Sequence, residues 1–182
     1  MSRADLERIW RAGAEACLPA RVVPPHLPEP PRGRTIALAL GKAAAGMAEA
    51  FEAGWEGPLS GLAVAPHGTR ATLRQIEFVT AAHPVPDTAS VAAAERLLAL
   101  AASAGPNDLV LVLLSGGASS LACLPGEGLA LAGKQALTTA LLRSGAGSAR
   151  STASGVTSRG SRAGGSASPP CPRGSSPSRF PT

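Results

Sequence analysis

Lys42 stands one residue beyond the apolar run Thr35–Leu40, and the turn Ser115-Gly116-Gly117-Ala118-Ser119-Ser120 follows a still more apolar run, Leu109–Leu114. The chemistry open to such turns is anion binding. Paired glycines let backbone N–H groups approach a ligand closely, and a helix that begins there adds the positive end of its dipole. A lysine at a helix start opposes that dipole by roughly 0.3–1 kcal/mol unless an anion lies between the two. Lysine is also scarce in this chain, with Lys42 and Lys134 set against fifteen arginines. A solvated lysine and a plain strand-to-helix turn are the structural alternatives, and placement alone leaves both open.

Two further places could touch a ligand. His83 opens the rigid segment His83-Pro84-Val85-Pro86-Asp87 and is a candidate for binding substrate. Asp87 reads as the N-cap of the next helix rather than as a catalytic acid. Lys134 falls in the first turn of a helix, an awkward place for a cation, with a snorkelling surface lysine as the alternative. Several chemistries are excluded. There is no Walker A loop, no G-x-S-x-G elbow and no G-x-G-x-x-G run. His26 and His67 form no ligand spacing with His83, and Cys17, Cys123 and Cys171 are too scattered for a zinc site. Their odd number, with no signal-peptide pattern and no apolar run of membrane-spanning length, points to a reduced cytoplasm.

The elements that must position these residues alternate. Leu6, Ile9, Trp10, Ala14 and Cys17 recur at helical spacing, and a proline-rich extended connector follows. Strands are expected at 35–40, 61–65, 75–79 and 109–114, and helices at 42–53, 88–103 and 131–143. This order predicts an α/β, Rossmann-like layered domain with a mainly parallel sheet over residues 1–146.

The net charge of +5 suggests nucleic acid until it is divided along the chain. Residues 1–146 carry twelve basic and twelve acidic side chains, so the excess belongs to the five arginines of 147–182. That segment also holds ten serines, six glycines and five prolines, with Val156, Cys171 and Phe180 as its larger apolar residues. Such a composition cannot build a core, and disorder is expected.

In this order the motifs resemble the N-terminal part of the type II glycerate 2-kinases, a family also known under the name hydroxypyruvate reductase. The matching stretches are 26–35, Gly41-Lys42-Ala43-Ala44-Ala45-Gly46-Met47-Ala48, Ala82-His83-Pro84-Val85-Pro86-Asp87, Leu114-Ser115-Gly116-Gly117-Ala118-Ser119-Ser120-Leu121 and 134–146. The resemblance implies phosphate transfer from ATP to the 2-hydroxyl of D-glycerate, with Mg2+ or another divalent metal, in a cleft between two α/β domains. It makes Lys42 the conspicuous active-site lysine. It makes Ser115, Gly116, Gly117, Ala118 and Ser119 part of the phosphate or substrate site, with His83 and Lys134 as further binding residues. Two departures stand out: Ala118 replaces the third glycine of the usual turn, and 65–69 lacks an expected Arg-Tyr-Gly.

The resemblance ends at Ala146. Permissible codons for 147–165, read one base out of register, spell a family-like stretch ending in Lys-Gly-Gly-Arg, so an out-of-frame tail is expected. The reading is therefore a truncated glycerate 2-kinase without turnover of its own, whose ligands are D-glycerate and ATP rather than a membrane or nucleic acid. The rival readings are an anion-binding module without catalysis, and a nucleic-acid binder acting through 147–182.

Overall fold

The computed structural model describes residues 1–126 and 128–144. The expected disorder and frame shift of 147–182 lie outside the described residues. The elements run α1 (Arg3–Ala16), α2 (Pro19–Val22), a 3-10 turn (Pro24–His26), β1 (Thr35–Leu40), α3 (Ala44–Gly54), β2 (Leu59–Pro66), β3 (Ile76–Ala81), α4 (Thr88–Ala102), β4 (Leu109–Leu114), α5 (Ala118–Leu121) and α6 (Leu131–Arg143). The proline-rich connector is thus not extended throughout, since Pro24–His26 coils into a single turn.

The sheet is wholly parallel, in the order β3-β2-β1-β4. β1 pairs residue for residue with β2 on one side and β4 on the other, with Thr35 opposite both Leu59 and Leu109. The chain lays β2 and β3 outward from β1, then returns to place β4 on the opposite side. The carboxyl ends of β1 and β4 therefore flank a switch in strand order, where doubly wound sheets open a crevice.

Alternation along β1 and β2 fills the two faces differently. Ala37, Ala39, Ala63 and Ala65 face the layer that holds Phe51 and Trp55, whose rings stack 4.9 Å apart. Small strand residues there leave room for large aromatics. Ile36, Leu38, Leu62 and Val64 face the other way, against Ala93, Leu97 and Leu121. Large strand residues there meet a helix with alanine on its inner side. α1 forms where its periodicity predicts, with a Ser2–Asp5 capping box, yet none of its residues is buried. Leu6, Ile9 and Trp10 are exposed, as are Val112 and Leu114 on the edge strand β4.

β2 and β3 are parallel neighbours joined without a helix, through residues 67–75. Parallel connections normally cross over on a helix. Here α3 supplies the missing support through its acidic side chains. Glu49 Oε1 accepts the Thr72 N–H at 2.7 Å, and Glu52 accepts the N–H groups of Arg74, Gln75 and Ile76 at 2.8, 2.7 and 3.0 Å. Glu52 is buried. Burial opposes its charge, but the three backbone donors and Arg74 outweigh that and hold the carboxyl below its usual 4.5. A carboxyl lowered in the folded state stabilises fully above its unfolded value and loses that stabilisation as pH falls through the folded one. Glu52→Gln is expected to cost about 1.5–3 kcal/mol at neutral pH, the scale of hydrogen bonds to a charged group. In urea unfolding, the gap between the two proteins should narrow once the pH drops below 4.5. A gap that does not change with pH would show that the charge contributes nothing.

Candidate functional site

The turns after β1 and β4 are fastened to each other. Ser115 N–H donates to Leu40 O at 2.9 Å, and Lys42 N–H donates to Gly116 O at 2.9 Å. Ala43 N–H donates to Ser115 Oγ at 3.0 Å. Gly41 has φ +125°, and a Cβ there would lie 2.2 Å from Ser115 Oγ and 2.5 Å from Ser115 O. Only glycine permits this approach. The Ser115 hydroxyl, a candidate ligand contact by sequence, is thus engaged in joining the two turns.

Gly117 brings the other candidates together. Its φ is +92°, and a Cβ on it would fall 2.9 Å from both Cδ2 and Nε2 of His83 and 3.3 Å from Cγ of Lys42. Among the described residues, the consecutive N–H groups of Gly116, Gly117, Ala118 and Ser119 donate to no protein acceptor. Successive open N–H groups in a glycine turn form a concavity suited to an anion. Two expectations need correction here. α3 begins at Ala44, so Lys42 lies in the turn before the helix and does not open it. α5 is a single turn of four residues, so its dipole is small and the backbone N–H groups must supply the attraction.

His83 is partly buried and joined to Pro84 by a cis peptide bond. Burial, then the charge of Lys42, lowers its pKa from 6.5, so the imidazole is neutral at pH 7. The segment behind it is braced on three sides. Ser120 Oγ donates to Pro84 O at 2.7 Å, and Gln135 Nε2 donates to Pro86 O at 2.9 Å. Asp87 caps α4 by accepting the Ser90 N–H at 2.9 Å, and it also accepts the Ala82 N–H at 3.3 Å. His67 Nε2 meets its other oxygen at 2.9 Å, while His67 Nδ1 meets Thr80 Oγ1 at 3.0 Å. Burial works against the Asp87 charge, but these hydrogen bonds from His67, Ser90 and Ala82 bring its pKa to about 2. It is a brace, as the sequence indicates, and no proton donor at neutral pH.

His67 is the contributor that sequence reasoning missed. It forms no ligand spacing in the sequence, and its one signal is its place just after the buried strand β2. Lys134 lies in the first turn of α6, where the sequence places it. Its amine lies beside the buried thiol of Cys123, where burial raises the thiol pKa and Lys134 partly offsets the rise. Among the described residues no hydrogen bond or ion pair joins Lys134 to Lys42 or His83. Nor is there, among them, any group of three His, Cys, Asp or Glu side chains that could hold a metal ion. Asp87, the carboxylate that ends the His83 segment, is occupied by its backbone and histidine partners. The described residues therefore supply no ready cluster of ligands for the divalent metal that the resemblance implies. No helix among them is long and apolar enough to cross a membrane.

A parallel α/β sheet whose switch point gathers a lysine, a neutral histidine and a run of open N–H groups defines a doubly wound α/β domain. The chain belongs to the family described as Domain of unknown function (DUF4147), whose profile matches residues 5–149. It is 43% identical over 146 residues to an Agrobacterium vitis protein that carries the name hydroxypyruvate reductase, covering 80% of this chain and 33% of that one. It is 41% identical over 140 residues to the D-glycerate 2-kinase of Thermotoga maritima, covering 76% of this chain and 34% of that one. Its fold is similar to the crystal structure of a glycerate kinase from Thermotoga maritima, with a TM-score of 0.68 at 40% identity over 77% of this chain and 34% of that one. The chain thus spans about a third of the length of the curated relatives it matches.

The geometry at Gly117 sets a test. Gly117→Ala adds a Cβ at positive φ into the His83 ring, so it is expected to destabilise by more than about 1 kcal/mol. It should also displace the imidazole, read as a changed His83 ring signal in NMR. An alanine variant with unchanged unfolding and an unchanged His83 signal would refute the packing described.

Proposed function

We propose that this chain forms the anion-binding part of an ATP-dependent D-glycerate 2-kinase, which makes 2-phosphoglycerate by phosphorylating the 2-hydroxyl. The observation that carries this reading is the run of open N–H groups at Gly116–Ser119 with Lys42 beside it. The likeness to proteins named D-glycerate 2-kinase and glycerate kinase supports the substrate. Phosphoryl transfer asks a protein mainly for positioning and for neutralising the charge on the moving group. Both substrates are anionic, and both kinds of group are at hand. The N–H groups hold a phosphate or carboxylate by short-range hydrogen bonds. Lys42 adds a compact point charge on a flexible stem, able to meet either the glycerate carboxylate or the transferring phosphate. His83 completes the contact surface on the substrate side. Lys134 is left to its place beside Cys123. No step is assigned to a metal.

The chain alone is expected to bind without measurable turnover, because an open site lacks the enclosure and low dielectric that strengthen charge stabilisation. D-glycerate, ATP and inorganic phosphate are each added to the labelled 182-residue chain, and the amide signals of 116–119 are followed by NMR, with 2-phosphoglycerate formation assayed in parallel. Shifts confined to this turn and the Lys42 turn support the reading. Silence at those amides with all three ligands would overturn it. Robust ATP- and glycerate-dependent turnover would overturn the expectation of inactivity and keep the substrate.

Lys42→Ala gives a sharper outcome. Lys42 is exposed and precedes α3, so its loss should change unfolding stability by no more than about 0.5 kcal/mol. Binding of phosphate and glycerate should weaken. In any form of the protein that turns over, kcat/KM should fall by about 10²–10³, the scale for losing one preorganised charge-stabilising contact. Lys42→Arg should not restore it fully, since a planar fork replaces a point charge poorly in a tight turn. Unfolding of the domain by Lys42→Ala, with normal binding by the folded remainder, would make the lysine structural.

A further inference from the structure

We infer that His83 reads the 2-hydroxyl of the substrate, accepting its hydrogen bond while Lys42 takes the adjoining carboxylate. The inference rests on the glycerate-kinase reading above and adds which side chain selects a 2-hydroxy acid.

The imidazole and the Lys42 stem approach one and the same point, the position of a Cβ on Gly117, at 2.9 and 3.3 Å. Among the described residues neither ring nitrogen of His83 has a protein hydrogen-bond partner, whereas both nitrogens of His67 do. The ring is neutral at pH 7 because burial and the Lys42 charge both oppose its protonation. A neutral imidazole accepts at one nitrogen and donates at the other, which suits a hydroxyl. An imidazolium would instead compete with Lys42 for the carboxylate. In a 2-hydroxy acid the hydroxyl and the carboxylate sit on adjacent carbons, so a neutral acceptor beside a cation is the matching pair. The ring is also preorganised. Pro84 and Pro86 stiffen its segment, and Ser120, Gln135 and Asp87 hold the backbone behind it. A polar site of this kind rejects an analogue that lacks the hydroxyl, because its own acceptor is then left without a partner.

The test titrates the full 182-residue chain at pH 7.5 with D-glycerate and with 3-hydroxypropionate, which keeps the carboxylate and the terminal hydroxyl but lacks the 2-hydroxyl. Backbone amide signals of Gly116 and Gly117 report binding. D-glycerate is expected to bind about five- to tenfold more tightly, the scale of one net hydrogen bond. His83→Ala should bring D-glycerate down to the level of 3-hydroxypropionate. His83→Gln, which keeps a neutral donor and acceptor, should retain part of the preference, and unchanged amide signals around Trp55 and Ile76 confirm that each variant is folded. Lys42→Ala should weaken both ligands alike. Equal binding of the two ligands by the wild-type chain, or a preference that survives in His83→Ala, overturns the inference and leaves the anion site standing. If D-glycerate, 3-hydroxypropionate and inorganic phosphate all leave Gly116 and Gly117 unmoved, the kinase reading itself fails and this inference fails with it.

Discussion

The site depends on one close approach, that of Gly41 to Ser115. β1 and β4 are paired in register to their last residues, Leu40 and Leu114, so both strands release the chain at the same level of the sheet. Two turns leaving side by side would repel each other if either carried bulk at the contact. Gly41 removes its own Cβ, and Ser115 places a hydroxyl oxygen where the Ala43 N–H needs an acceptor. The Lys42 N–H then donates into the second turn, at Gly116 O. The lysine is consequently fixed at its backbone by the very turn whose N–H groups it stands beside. Neither turn has this shape alone.

A second layer holds the first in place from the β3 side. Asp87 ends the His83 segment, caps α4 and accepts from the Ala82 N–H, so one carboxylate sets both the start of a helix and the path of the loop before it. His67 ties the same carboxylate to Thr80 on β3. Acidic groups perform this work twice in the fold, since Glu52 does the same for the β2–β3 connection. In each case a charged acceptor replaces secondary structure that the backbone lacks locally. The consequence is an acid-sensitive scaffold: protonating these carboxyls loosens the loops that carry the site before it reaches the apolar core.

What could be read from the sequence follows the range of the interactions. β1 and β4 occupy the residues expected of them, because an unbroken apolar run bounded by glycine has one simple solution in a two-sided sheet. Asp87 as an N-cap is a local property and was legible. The conjunction of Lys42, His83 and Gly117 spans 75 residues of chain and rests on strand order, which no local pattern encodes. The motifs identified the participants, and only the switch at β1 and β4 brings them together. Lys134 shows a second limit: the sequence places it in the first turn of its helix but could not place it beside a buried thiol. α1 shows a third kind, where periodicity correctly gave a helix but could not say whether its apolar stripe would be covered.

The position of Lys42 also changes the argument for why a lysine is there. From sequence the case rested on a helix dipole that the cation opposes, with an anion needed to reconcile them. α3 starts at Ala44, so Lys42 lies just before its first turn, and α5 is only one turn long and has a small dipole. The unmet electrostatic demand comes instead from the open N–H groups of Gly116–Ser119, which are fixed partial positive charges next to a full one. Like charges gathered at the end of a sheet repel each other, though solvent around the exposed Lys42 screens part of that repulsion. The neutrality of His83 follows first from its burial and then from the Lys42 charge, to which a third positive group would add. An anion that enters relieves the repulsion around Lys42. Lys42 and His83 thus enter the proposed site as a cation and a neutral ring, the pair that the proposed division between carboxylate and hydroxyl requires.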